Sequence, residues 1–170
     1  MRDYTRLARD LAPQPSAADG GTAIDPLRLE TMRRFVDGAW PALSLQGVSW
    51  IGFYFKDPGK DSMTLGPCRN KPACSPIGMH GVCGRGWIKR RSIIVRDVKV
   101  LGHDYVACDP RDQAELVIPL FDRGVCYGVL DVDSFDVGAF SEADVAAIEP
   151  MLFSNGLSEP GRAAGPTIML

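Results

Sequence analysis

The chain of 170 residues predicts an α+β domain, a mainly antiparallel sheet of five or six strands flanked by helices on both faces. Three observations carry that prediction. The run AELVIPLFDRGVCYGVLDVDS sets two apolar stretches around Asp122-Arg123-Gly124, the pattern of an antiparallel hairpin with a short Gly-containing loop. Both faces of this hairpin are apolar at its centre. Leu116, Ile118, Leu120, Leu130 and Val132 alternate onto one, and Val117, Val129 and Tyr127 onto the other, so the sheet needs cover on both sides. Segments with helical periodicity, before and after the strands, supply that cover.

Taken in order, Met1 to Leu11 reads as a short amphipathic piece, and PQPSAADGGT as an open linker by its Pro, Ser and Gly content. Residues 1–24 are therefore expected to precede a domain spanning 25–153. Asp25-Pro26 predicts a helix start, with Asp as N-cap and Pro at the first helical position. Met32, Phe35, Val36, Ala39 and Trp40 follow at three- and four-residue spacing, which turns one face of this helix to the sheet. VSWIGFYF and SMTLGPC read as strands around the polar DPGKD turn, and SIIVRDV as another. Ser141, with Asp144 three residues on, caps a last helix carrying Val145, Ile148 and Leu152, which Pro150 is expected to kink or end early. Residues 154–170, with SNGLSEPGRAAGP, have linker composition and are expected to form a flexible tail.

The length suits one domain with one continuous core. A net charge of -2 and a pI near 5.7 provide no basic stripe for nucleic acid, and Lys89-Arg90-Arg91 is a short solvated run. No apolar stretch approaches the length of a membrane span, and MRDYTRLARDLAP lacks the apolar region of a secretory signal. The expectation is a cytoplasmic protein with neither a nucleic-acid nor a membrane partner.

Two groups of side chains point to chemistry. Cys74, Cys83 and Cys108 fall within 35 residues, and in a reducing compartment such a cluster indicates thiol chemistry or metal binding rather than structural bridging. On the hairpin, pairing Phe121 with Val125 sets Glu115 opposite Asp131, and alternation puts Asp133 on the same face. Like charges facing each other across a sheet destabilise it by up to about 1 kcal/mol per pair. With no cation nearby in the sequence, the three acids are expected at the rim of a pocket.

The segments SWIGFYF, LGPCRNKPAC, HGVCG, VACDPRDQAELVIPLF and GVLDVDS, in this order and nearly this spacing, resemble the free methionine-(R)-sulfoxide reductases, a catalytic branch of the GAF domains. The resemblance covers roughly residues 27 to 149 and implies a single GAF-like domain. Two departures border the expected pocket: a Cys74 to Cys83 interval one residue shorter than the family pattern, and an altered stretch around His103-Asp104-Tyr105.

What the resemblance implies about the site is specific. Cys108 attacks the sulfoxide sulfur and becomes a sulfenic acid, Cys74 or Cys83 condenses with it to a disulfide, and an external dithiol such as thioredoxin reduces that bond. Oxide is a poor leaving group, so an acid must protonate the sulfoxide oxygen. Glu115 is the implied catalytic acid, since repulsion from Asp131 and Asp133 and partial burial keep a proton available. The remaining carboxylates suit the ammonium of a free amino acid. Trp50 and Tyr54 are placed against the methyl-thioether end, where aromatic faces accept sulfur contacts worth roughly 0.3–1.5 kcal/mol. Gly78, Gly81 and Gly84 would let the loop carrying the resolving cysteine swing. No cofactor or resident metal is implied, and a homodimer is. Cys68 and Cys126 are expected to be small buried hydrophobes. Two alternatives stand beside this reading. One is a GAF sensor that binds a small ligand without turnover. The other is a structural zinc site built from Cys74, His80, Cys83, His103 and Cys108, which lack a Cys-x-x-Cys or His-x-x-x-His knuckle.

Overall fold

The computed structural model describes residues 2–11, 25–70, 73–105 and 108–170, so the expected linker PQPSAADGGT lies outside the described residues. Helix α1 (Thr5–Asp10) is short, and Leu7 and Leu11 anchor it in the core. Helix α2 (Pro26–Leu43) starts as its sequence predicts: the Asp25 carboxylate accepts the Arg28 N–H at 2.7 Å, and Pro26 occupies the first turn. Its inner face carries Met32, Phe35, Val36, Ala39 and Leu43, with Trp40 only partly buried beside them.

The strands are β1 (Val48–Lys56), β2 (Ser62–Arg69), β3 (Ile77–Gly78), β4 (Ile93–Val95), β5 (Ala114–Asp122), β6 (Val125–Ser134) and β7 (Ile168–Met169). Between them lie α3 (Val82–Lys89) and α4 (Glu142–Ser154). Among the described residues they form one seven-stranded sheet in the order β3-β2-β1-β6-β5-β4-β7, antiparallel except for the parallel β4–β7 pair. The additional strands relative to the sequence expectation are the two-residue edge pieces β3 and β7, too short to show any alternation. Helices α1, α2 and α4 pack with one face of the sheet in a core of Phe35, Ile51, Phe53, Leu116, Leu130, Val132 and Ile148. On the other face α3 and the residues after β4 gather Trp50, Tyr54, Met63, Cys83, Val95, Val117 and Val129.

The hairpin differs from its expected register. Arg123 and Gly124, with φ of 50° and 76°, form a two-residue turn, so Asp122 pairs with Val125 and Phe121 with Cys126. A bulge between Leu120 and Phe121 then leaves Tyr127 as an extra residue on β6. Glu115 therefore stands opposite Asp133, not Asp131, and Tyr127 joins the face of Leu116 and Leu130 rather than that of Val117.

Two further expectations are corrected. Pro150 does not end α4, which runs to Ser154; its ring is exposed while Ile148, Met151 and Leu152 around it are buried, so packing outweighs the lost backbone bond. The segment after residue 153 is tied down rather than a loose tail. Leu157 is buried, the Glu159 carboxylate accepts the N–H groups of Arg123 and Gly124, and β7 pairs with β4. The Ser141 cap holds, with its N–H and hydroxyl both on the Asp144 carboxylate at 2.8 Å.

Candidate active site

A pocket opens on the face of the sheet opposite α2. Alternation along three neighbouring strands builds its floor, because Trp50 on β1, Asp133 on β6 and Glu115 on β5 form one lateral row, and Gly52, Asp131 and Val117 the next. Asp131, Asp133 and Glu115 all line the pocket, as expected, yet Glu115 and Asp131 are each only 6% exposed, so they form its floor rather than its rim. Trp50 and Tyr54 line it too, with ring centroids 5.8 Å apart and planes 26° from parallel. Gly52 between them is required for space. A Cβ there would run into the Trp50 ring and stand 2.6 Å from the Cys68 Cβ.

The walls come from α3 and from the residues after β4. Helix α3 begins at the pocket with Gly81 as N-cap, and Val82 and Cys83 line the pocket from its first turn. Gly84, expected to loosen a loop, belongs instead to a helix. Gly84 lies inside α3 where a Cβ would collide with the Met79 backbone, and Gly86 packs on Val117, so both let the helix approach its neighbours closely. The opposite wall carries Tyr105, Cys108 and Asp112. A bulge in the β1–β6 pairing at Ser49 sends the Ser49 hydroxyl to the Asp112 carboxylate at 2.7 Å.

The three cysteines separate into two groups. Cys108 lines the pocket, and its Sγ accepts the Cys74 N–H at 3.2 Å. The Tyr54 hydroxyl donates to the Cys74 carbonyl at 2.9 Å, so Tyr54 also anchors the backbone of this second cysteine. Cys83 is buried on the floor, with its thiol hydrogen-bonded to Asp131. Cys126 is buried and Cys68 half-buried, neither lining the pocket. The His103 side chain of the alternative zinc set lies outside the described residues. Among those described, the grouped ligand atoms belong to Cys83, Glu115 and Asp131.

No Lys, Arg or His among the described residues lines the pocket. Burial, and then the charges of Asp131 and Asp112, hold the Glu115 carboxyl well above the usual range. Asp133 is raised in the same way by burial and by Asp131, Glu115 and Asp112. Asp131 is pushed up to about 7 by burial, with the Cys83 hydrogen bond pulling it back in part. Burial and the side-chain hydrogen bond with the Cys74 thiol push the Cys108 thiol up to about 12, against the Cys74 N–H that pulls it down in part, and burial holds the Cys83 thiol well above its usual range. Burial and mutual repulsion thus favour the protonated forms of these acids beside the protonated thiols of Cys108 and Cys83. Two buried polar atoms have no hydrogen-bond partner here, Trp50 Nε1 and Asp131 Oδ1.

Asp112 escaped the sequence reading, and Tyr105, in a stretch expected to border the pocket, was given no role there. Both precede β5 in irregular chain, where strand alternation assigns no face, and the signal that remained was the Asp109 to Asp112 spacing just before Glu115.

A sheet with helices on one face and a hollow under a short helix and loops on the other is the architecture of a GAF-type domain. The GAF domain family model matches residues 29–154, and the chain belongs to that family. It is 35% identical over 111 residues to the free methionine-R-sulfoxide reductase of Escherichia coli (strain K12), a match covering 64% of each chain. GAF domain-containing protein A of Dictyostelium discoideum is 40% identical over 97 residues, which is 56% of this chain and 60% of that protein. The chain therefore spans about three fifths of the length of these curated relatives. Among solved structures, the free methionine-R-sulfoxide reductase from Neisseria meningitidis in complex with its substrate superposes with a TM-score of 0.68 at 31% identity, over 74% of each chain. No helix among the described residues is long and apolar enough to cross a membrane.

Proposed function

We propose that this protein reduces the R epimer of free methionine sulfoxide to methionine, with Cys108 taking the oxygen and Cys74 resolving it. The observation that carries the reading is the Cys74 N–H on Cys108 Sγ at the edge of a pocket floored by protonatable acids. Cys108 attacks the sulfoxide sulfur while Glu115 or Asp133, held neutral by burial, donates a proton to the oxygen. The oxygen passes to Cys108 as a sulfenic acid, and methionine leaves with its thioether restored. The Cys74 thiol displaces water from the sulfenic acid to give the Cys74–Cys108 disulfide, and a thioredoxin-like dithiol returns both thiols. No cofactor is needed beyond that dithiol.

The unsatisfied Asp131 Oδ1 suits the substrate ammonium, and the Trp50–Tyr54 stack suits the methyl group on sulfur. Carboxylates enclosing a free ammonium leave no room for a preceding peptide bond. A homodimer is part of the same reading.

The test is incubation of reduced protein with the separate R and S epimers of free and peptide-bound methionine sulfoxide, with dithiothreitol as reductant. Turnover of the free R epimer alone is expected. Equal activity on a sulfoxide-containing protein would overturn the pocket assignment, and tight binding of the free amino acid without turnover would establish the sensor reading instead.

A further inference from the structure

We propose that the pocket floor is a site for a zinc ion, bound through Cys83 Sγ and the carboxylates of Glu115 and Asp131, and that zinc and the sulfoxide substrate exclude one another. The metal site follows from the geometry of the pocket floor. The mutual exclusion rests on the reading of the pocket as the sulfoxide site.

One ligand atom from each of these residues lies within 4.8 Å of the others. A tetrahedral zinc with one sulfur at about 2.3 Å and oxygens at about 2.0–2.2 Å holds its ligand atoms about 3.4–3.6 Å apart. The three groups therefore need to close by roughly 1 Å, within the reach of side-chain rotation. They arrive from different elements, Cys83 from the first turn of α3, Glu115 from β5 and Asp131 from β6, so the cluster is a product of tertiary folding.

An independent observation points to a ligand. Asp131 is 6% exposed, lines the pocket, and its Oδ1 has no hydrogen-bond partner among the described residues. A buried carboxylate oxygen left unpaired costs roughly 1–3 kcal/mol, which a bound cation removes. The donor set selects among cations. Calcium and magnesium take six or more oxygens and reject a thiolate, whereas one thiolate and two carboxylates suit zinc. Three protein ligands leave the fourth position facing the pocket, the arrangement of zinc sites that keep an open coordination position. With no cationic side chain among the described residues lining the pocket, a divalent ion also offsets the repulsion among Glu115, Asp131, Asp133 and Asp112. Zinc so placed occupies the acids that the substrate ammonium and sulfoxide oxygen require.

Cobalt(II) reports the ligands directly, because a thiolate bound to it gives a charge-transfer band in the near ultraviolet. Reduced, thiol-free protein titrated with cobalt should develop this band to one equivalent, and zinc should abolish it. Cys83→Ser should remove the band, while Cys74→Ser and Cys108→Ser retain it. Glu115→Gln and Asp131→Asn should each weaken cobalt binding at least tenfold, which keeps the test decisive if Cys83→Ser does not fold. A band that survives Cys83→Ser and disappears with Cys108→Ser would place the metal on the other thiols and overturn the site, as would folded wild-type protein giving no band. In Cys108→Ser protein, which cannot turn it over, saturating free methionine (R)-sulfoxide should erase the band, and its persistence would overturn mutual exclusion. Because the cobalt readout needs no turnover, a protein that binds metal but reduces no sulfoxide would refute the enzymatic reading and leave the metal site standing.

Discussion

One sheet presents two unlike faces, and the difference lies in whether charge has a partner. On the α2 face the ionic groups are matched. Arg2 and the Tyr4 hydroxyl both reach the Asp144 carboxylate, at 3.2 and 2.6 Å, and Arg28 meets Asp122 at 2.6 Å while lying over the Tyr127 ring. On the pocket face Glu115, Asp131, Asp133 and Asp112 gather without a cation among the described residues. The two sets sit one residue apart on the same strands, Leu116 and Val132 inward on one side, Glu115 and Asp133 on the other. A fold can carry a cluster of neutralised acids when the opposite face supplies the stability, so stability and reactivity here are separated by strand parity.

The largest expected effect falls on the pocket side. Cys108→Ser should abolish turnover, a loss of at least a thousandfold in kcat, while urea unfolding stays within about 0.5 kcal/mol of wild type. Near-wild-type rates would move the nucleophile to Cys83 or Cys74. Cys74→Ser should give one burst of methionine per enzyme and then stop, as a lost resolving thiol requires.

The matching change on the closed side is Phe35→Ala, which removes a fully buried ring packed edge-on to Phe53 with centroids 5.9 Å apart. A destabilisation of about 3–5 kcal/mol is expected by denaturant titration, with the KM of the remaining folded enzyme unchanged. A shifted KM would show that the two faces are coupled.

Glu115→Gln and Asp133→Asn should act in opposite senses on activity and stability. Each should raise KM and lower kcat, for a loss of at least tenfold in kcat/KM, while stability at pH 7 holds or rises by up to about 1 kcal/mol because the amide needs no proton to enter the buried site. The sign follows from linkage. Burial and the neighbouring acids raise these carboxyls above their unfolded values near 4, so their contribution is complete below about pH 4 and is lost as pH rises through the folded values. Wild-type stability should therefore fall relative to the Gln variant between about pH 4 and 7, as pH-dependent unfolding will register. Asp144 gives the opposite slope. Burial alone would raise its carboxyl, but the hydrogen bonds from Tyr4, Ser141 and Arg2 outweigh this and lower it. Its contribution is present above the unfolded value near 4 and is lost as pH falls through the folded value. Tyr4→Phe should cost about 1 kcal/mol at pH 7, the smallest effect of the series, and that difference should shrink on acidification.

Much of this asymmetry was legible in the sequence wherever a repeating pattern was long enough to read. The α2 stripe from Met32 to Ala39, the Asp25 and Ser141 caps and the alternation of β5 and β6 gave the core and grouped Glu115, Asp131 and Asp133 on one face. Elements without periodicity were not legible. Helix α3 was hidden by Gly84 and Gly86, whose role is close packing and not loop freedom, and β3 and β7 are two residues each. The pairing of Glu115 with Asp133 depended on a bulge that no local residue announces. Cys83 and Cys74 were equivalent by spacing along the chain, and only folding sets one against the acids and the other against Cys108.

The bulge at Tyr127 makes the hairpin unequally tolerant of changes in chain length. Its tip lies beyond the bulge, where an added or deleted residue can be absorbed by the turn without disturbing anything nearer the pocket. Between Gly128 and Asp131 no such slack exists: one residue more or fewer would turn Asp131 and Asp133 inside out, exchanging them with Leu130 and Val132. Descendants of this chain can therefore lengthen the loop at Arg123 freely, whereas the few residues before the acids must be inherited at constant count.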